Sequence, residues 1–201
     1  MLIVRGLEKF FGGRSLFKPI DFTAQPSQLY LIKGPNGSGK TTLLKCLSGH
    51  LQFEKGQIEF LGNKSAPLHR ISGLYLFQEN SFFPQLSLRE NIDFYKKYFS
   101  SQENLHPLIE ELGLLPWWDK RFQECSSGIK RRLGILRSLL NQPKILLLDE
   151  PLSFMDETFS ENLGKFLVQQ TKEKNLITFI SSNQELPTPL EIHNMIEVHP
   201  C

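Results

Sequence analysis

Gly34-Pro35-Asn36-Gly37-Ser38-Gly39-Lys40-Thr41, followed by Thr42, decides the fold of this chain. It fits the pattern GxxxxGK followed by Ser or Thr. A short apolar run, 29–32, leads into it. Beyond it Leu43, Leu44, Leu47 and Leu51 recur at the spacing of one helical face. Strand, glycine loop and helix in that order form the setting in which the motif holds phosphate; an ordinary glycine turn has no need of both neighbours. Glycines let successive backbone N–H groups turn inward without Cβ clashes. The helix N-terminus adds unpaired donors and a favourable dipole. Lys40 supplies a point charge for the β- and γ-phosphates of a nucleotide, and the Thr41 hydroxyl is a ligand for Mg2+.

The second half of such a site is the run 145–148, Ile-Leu-Leu-Leu, ending in Asp149-Glu150-Pro151. A buried strand that ends in carboxylates beside the P-loop brings a metal partner, Asp149, and a group that can accept a proton from water, Glu150.

Working outward, residues 2–32 read as strand-rich. Ile20, Phe22 and Ala24 alternate with polar neighbours at the strand period. Residues 57–61 before Gly62-Asn63 read as a strand and turn. Gly49 marks the expected end of the P-loop helix. From about 80 to 140 the pattern becomes helical. It opens on Ser87-Leu88-Arg89-Glu90, the spacing of a capping box. A helical stretch at 157–172 separates two apolar runs, 145–148 and 176–181. Strands alternating with helices predict an α/β fold with a mainly parallel P-loop core, an N-terminal antiparallel β-subdomain and a helical subdomain. All of it is expected to form one domain over residues 1–201.

Composition narrows the function. Of 201 residues, 40% are hydrophobic and 22% charged, an ordinary globular balance. A net charge of +2 gives no case for a nucleic-acid partner. Cys46, Cys125 and Cys201 lie far apart, without metal-ligand or disulfide spacing, and read as reduced thiols. The start, MLIVRGLEKFF, lacks the features of a signal peptide. No apolar run approaches the ~20 residues of a membrane helix. The chain is therefore expected to reach a membrane only by docking to another chain.

The ordered set of motifs resembles the ABC ATPase family. GPNGSGKTTLL and ILLLDEP match its two nucleotide motifs. Gln78, at the end of GLYLFQ, matches its glutamine loop, which contacts Mg2+ and the attacking water. CSSGI at 125–129, with Ser126, Ser127 and Gly128, stands where the family has LSGGQ, the signature that meets the ATP of an opposite subunit. Asp156 matches its D-loop. Phe11 matches an aromatic that stacks on adenine, with Phe10 as the neighbouring alternative among 16 phenylalanines. Ser126 also suits a helix N-cap, and the two roles are compatible.

Two departures stand out. The signature lacks leucine, one glycine and glutamine. The last long strand ends in Ser181-Ser182-Asn183-Gln184, where the family usually has a histidine near the γ-phosphate. An amide donates a hydrogen bond but carries no charge, so slower hydrolysis or dependence on an unlike partner subunit is expected.

The resemblance implies ATP and Mg2+ as cofactors. It also implies a head-to-tail dimer of ABC subunits, like or unlike, and a separate integral membrane permease contacted through Gln78 and 82–86. The implied location is peripheral, at the cytoplasmic face of the inner or plasma membrane. Within the family, LRENIDFY at 88–95 and SNQEL at 182–186 look most similar to the ATP-binding subunit of the cytochrome c maturation (haem exporter) complex. A soluble ABC ATPase and a weakly hydrolysing regulatory subunit are the alternative readings.

Overall fold

Ile145–Asp149 is buried at every position, the mark of a strand covered on both faces. It is the eighth strand of the chain in this computed structural model, which describes residues 1–75, 82–153, 157–183 and 191–201. Gln78, Asp156 and Gln184, and with them the glutamine-loop and D-loop readings, lie outside the described residues.

The N-terminal part is built from β1 (Leu2–Glu8), a two-stranded hairpin β2 (Phe10–Phe11) and β3 (Arg14–Ser15), and β4 (Ile20–Ala24). Next come β5 (Gln28–Lys33), α1 (Lys40–Leu47), β6 (Lys55–Phe60), the one-turn α2 (Leu68–Ile71) and β7 (Ser72–Tyr75). The helical part holds α3 (Leu88–Tyr98), α4 (His106–Glu111) and α5 (Ser127–Leu139). The chain returns to the core through β8 (Ile145–Asp149), α6 (Glu157–Glu173), β9 (Ile177–Ser182) and β10 (Asn194–Glu197).

Two sheets organise the molecule. β4-β1-β6 is antiparallel. β10-β5-β9-β8-β7 is parallel throughout. The parallel sheet separates two apolar cores. On β8, Ile145 and Leu147 face the core shared with α1 and the antiparallel sheet, including Leu43, Leu44 and Leu47. Leu146 and Leu148 face the other core, with Leu133 and Leu136 of α5 and Leu163 and Leu167 of α6. Successive residues of a strand point to opposite faces, so one apolar run serves both cores.

The expected elements form, with shifts at their ends. The P-loop helix stops at Leu47, a turn short of the expected face. Gly49 takes a left-handed φ of 74° just beyond the cap, and glycine alone adopts that cheaply. Leu51 still packs on the same core from outside the helix. The capping box forms as expected: Ser87 Oγ accepts from the Glu90 N–H, and Glu90 Oε2 accepts from the Ser87 N–H. β10 and α2 went unread in the sequence.

α5 ties the helical part to the sheet. A Cβ on Gly134 would lie 2.4 Å from the Tyr75 ring, and one on Gly73 would lie 2.0 Å from the Ser138 carbonyl. Only bare Cα atoms permit so close a helix–strand approach.

Candidate functional site

The P-loop occupies the turn between β5 and α1. Gly39 is the N-cap of α1 with φ 100°, and a Cβ there would strike Phe17 and Leu16 at 2.8 and 2.9 Å. A Cβ on Gly34 would lie 2.5 Å from the Val198 carbonyl. The backbone of the loop is thus pressed between the strand after it in space and the hairpin beside it. No side chain caps the N-terminus of α1, so its first N–H groups remain donors for an anion. Lys40, 6% exposed, donates from Nζ to the carbonyls of Gly34 at 2.8 Å and Pro35 at 3.1 Å. The ammonium is held over the loop with a third donor proton to offer.

The parallel sheet delivers the acidic half. Asp149, at the end of β8, is buried, and both its oxygens are engaged. Oδ2 accepts from the Thr41 hydroxyl at 2.8 Å, and Oδ1 from the Ser181 hydroxyl at 2.6 Å. The Ser181 oxygen in turn accepts the Glu150 N–H at 2.9 Å. Ser181 was not singled out in the sequence. Its only signal there is a serine inside an apolar run at a strand end. Glu150 follows at φ 47°, a left-handed conformation that costs a non-glycine residue energy. Ser153 holds it, through its N–H on the Glu150 carbonyl and its hydroxyl on Glu150 Oε2, both at 3.3 Å.

Phe11, Asn36, Gly37, Lys40, Asp149 and Glu150 are among the residues lining one cleft of about 650 Å³. That size suits a nucleotide-scale ligand. Thr41, Thr42 and Asn183 line it too. The β2–β3 hairpin presents Phe11, 54% exposed, at its edge, while the Phe10 ring turns to Lys55 Nζ at 5.0 Å. The hairpin is anchored by Glu54, whose carboxylate accepts from Lys9 Nζ at 2.6 Å and from the Phe10 N–H at 2.7 Å. These bonds, Lys9 first, hold the Glu54 carboxyl below its ordinary range. Asn183, beyond β9, donates from Nδ2 to Asn36 Oδ1 at 2.8 Å. It closes the mouth of the P-loop from the opposite side.

The donor set fits both cofactors. A hydroxyl beside a carboxylate, with phosphate oxygens to complete the shell, is chemistry that suits Mg2+. Among the described residues no group of three or more His, Cys, Asp or Glu converges. The Thr41 hydroxyl donates to Asp149 and keeps its lone pairs for a cation.

The signature segment stands apart from this cleft. Ser126 caps α5, its Oγ accepting the Ile129 N–H at 3.4 Å, and Ser126 and Ser127 are exposed. The two apolar departures are buried: Ile129 packs inward, and Cys125 donates from Sγ to the Arg121 carbonyl at 3.4 Å. Burial pushes the Cys125 thiol up. The three cysteines are free. Among the described residues no helix is long and apolar enough to cross a membrane.

Relatives of known name align with nearly all of this chain. The spermidine/putrescine import ATP-binding protein PotA of Chromobacterium violaceum is 30% identical over 98% of this chain and 56% of its own length. The Fe(3+) ions import ATP-binding protein FbpC 2 of Rhodococcus jostii is 30% identical over 98% and 59%. The chain thus spans a little over half of these relatives. The lantibiotic transport ATP-binding protein SrtF of Streptococcus pyogenes is 30% identical over 91% of this chain and 80% of its own. These names speak of polyamine, iron and lantibiotic transport rather than cytochrome c maturation. Among solved structures, a putative ABC transporter ATP-binding protein from Pyrococcus furiosus superposes with a TM-score of 0.81 at 24% identity, over 100% of this chain and 99% of the other. cbiO1 from Clostridium perfringens, part of the complex cbiONQ, gives 0.82 at 24%, over 98% and 84%. At such identity the likeness shows the fold. The family described as ABC transporter matches residues 17–153, a span that starts just after the β2–β3 hairpin, takes in the P-loop and the carboxylate strand, and passes Glu150. The chain belongs to the ABC transporter family.

Proposed function

We propose that this chain binds ATP with Mg2+ and hydrolyses it as one half of a head-to-tail dimer that drives a membrane permease. The observation that carries the reading is the hydrogen-bonded series Thr41–Asp149–Ser181–Glu150 beneath the P-loop. It supports a reading in which Thr41 and Asp149 serve a metal and Glu150 serves as base on one side of a cleft, with the P-loop backbone on the other.

In this reading the P-loop N–H groups and Lys40 bind and orient the phosphates. Thr41 directly, and Asp149 through water, would hold Mg2+, which neutralises charge on the phosphate oxygens. Glu150 takes a proton from the attacking water. Phe11 stacks on the base. Gln78 and Asp156 keep the glutamine-loop and D-loop roles that the resemblance implies. Ser126, Ser127 and Gly128 lie outside the chain's own cleft, which suits a role toward the nucleotide of a second subunit. Nucleotide would then bridge two surfaces, and hydrolysis would weaken that bridge.

The permease is a separate chain, docked near residues 82–86, and the subunit sits peripherally at the cytoplasmic face of the inner or plasma membrane. Asn91 supports that surface. Its side chain is fully buried and bonds the Phe83, Leu86 and Ser87 carbonyls and the Phe83 N–H. Cargo is chosen by the permease. The haem exporter reading rests on the resemblance at 88–95 and 182–186 alone. A weakly hydrolysing subunit of an unlike pair is the second reading, favoured by the neutral Asn183 at the P-loop mouth.

Glu150→Gln tests the function. Removal of the base is expected to lower turnover at least about a hundredfold while ATP binding persists. ATP should then trap a dimer seen by gel filtration. Unchanged turnover in a purified preparation would sink the hydrolytic assignment.

A further inference from the structure

Arg131 lies in the second turn of α5 and is 3% exposed. A guanidinium buried so deeply is retained only where its donors are met by well-placed acceptors. Its Nη1 donates to the main-chain carbonyl of Ser153. Its charge also acts on the hydroxyl of Tyr75 on β7: burial pushes that hydroxyl up to about 12, and the Arg131 charge opposes the rise. Ser153 is the residue whose N–H and hydroxyl hold Glu150. Three elements therefore meet at one side chain: the helix that begins at Ser126, the strand β7, and the turn that follows the base.

The turn needs such a support. Glu150 sits at a left-handed φ of 47°, which the surroundings must impose on a non-glycine residue. Ser181 fixes it from the β9 side through its N–H. Arg131 fixes it from the α5 side, by way of Ser153. Gly134, one helical turn along, lets the Tyr75 ring lie against α5 and meet the guanidinium.

Resting on the hydrolytic reading above, we infer that Arg131 is a positioning residue for Glu150, acting through the Ser153 carbonyl. It makes the placement of the base depend on the placement of the helix that carries Ser126. In a dimer those two ends of one chain face different nucleotides, so Arg131 is a rigid link between the chain's own cleft and the one it completes for its partner.

The experiment compares Arg131→Met and Arg131→Lys by steady-state hydrolysis of Mg-ATP. Arg131→Met should lower kcat by between about tenfold and a hundredfold, the loss expected when a charge-assisted hydrogen bond goes. KM should stay within about twofold, since the P-loop is untouched. Arg131→Lys, which keeps one charged donor, should recover part of kcat. In a Glu150→Gln background, Arg131→Met should cause no further loss of residual hydrolysis, followed with labelled ATP, because a residue that acts through Glu150 has nothing left to position. Full additivity there, or a changed KM at unchanged kcat, overturns the inference. Should Arg131→Met fail to fold, Arg131→Lys in both backgrounds decides it by the same comparison. A Glu150→Gln single variant with normal turnover would instead strike the hydrolytic reading itself.

Discussion

Thr41 and Asp149, 108 positions apart in the chain, share a hydrogen bond of 2.8 Å. It joins the first turn of α1 to the end of β8, and so the two halves of the cleft are assembled within one chain. Asp149→Asn keeps the shape but removes the charge, and its amide oxygen can accept from only one of the Thr41 and Ser181 hydroxyls. We expect ATP affinity in the presence of Mg2+ to fall, and affinity in excess chelator to change little. Calorimetric titration with and without Mg2+ reads the difference. An equal Mg2+ enhancement in both proteins would remove Asp149 from the metal site.

Lys40→Ala removes a charge-assisted contact to phosphate, of the order of 1.5–3 kcal/mol. The dissociation constant for ATP should rise by about tenfold to a hundredfold. Lys40 lines the cleft, so water can replace its ammonium on the Gly34 and Pro35 carbonyls, and the melting temperature should shift little. Equal ATP affinity in the two proteins would contradict the P-loop assignment.

Asn183→His restores the residue type the family usually places at this point. The amide now donates to Asn36 Oδ1. An imidazole in its place can donate with positive charge as phosphate charge rearranges. The difference between charged and neutral donors, up to about 2 kcal/mol, corresponds to an acceleration of up to roughly tenfold or somewhat more. Nucleotide affinity should move much less than turnover. A well-folded variant that hydrolyses no faster would mean that the site has adapted to the amide.

Much of this site was legible because its chemistry is local in sequence. The spacing of Gly34, Gly39 and Lys40 defines a loop, and Asp149 and Glu150 close an apolar run. The Ser87–Glu90 capping box needs only four residues. What escaped reading depends on distant partners. β10 has one buried residue, Ile196, and is a strand only because β5 lies beside it. Ser181 becomes a site residue through Asp149, 32 positions away. Phe10 and Phe11 are alike as sequence, and the register of the β2–β3 hairpin turns Phe11 to the cleft. Arg131 reads as the middle of a run of three basic residues, 130–132, on a helix, and its burial is a property of the packing alone.

Alkaline pH should weaken the fold in a defined window. Burial pushes the Cys46 thiol from 9.0 up to about 11 and the Tyr75 hydroxyl from 10.0 up to about 12. Both stay neutral in the fold while the unfolded chain loses these protons from about pH 9 upward. The unfolded state then binds fewer protons than the native one, so stability falls as pH rises from 9 toward 12 and is fully present below 9. Urea midpoints at pH 8, 9.5 and 11 measure the decline. Cys46→Ala should make it shallower between 9 and 11, and an unchanged slope would exclude the thiol as a cause. At pH 8 iodoacetamide should label the exposed Cys201 and spare the buried Cys46 and Cys125.

The seat of the P-loop has a consequence for the timing of synthesis. β5, which leads into the loop, is flanked by β9 and β10, made more than 140 residues later. Gly34 rests against the Val198 carbonyl, and the Val198 N–H bonds the Lys33 carbonyl. A ribosome that has finished the glycine loop has made Leu16 and Phe17, which bear on Gly39, but not the Val198 segment that bears on Gly34. Long-range parallel pairing is slow to form, so the phosphate cradle is completed among the last events of folding. A nascent chain exposes the glycine loop early, and the loop gains its full seat only once residues 194–198 have docked on β5.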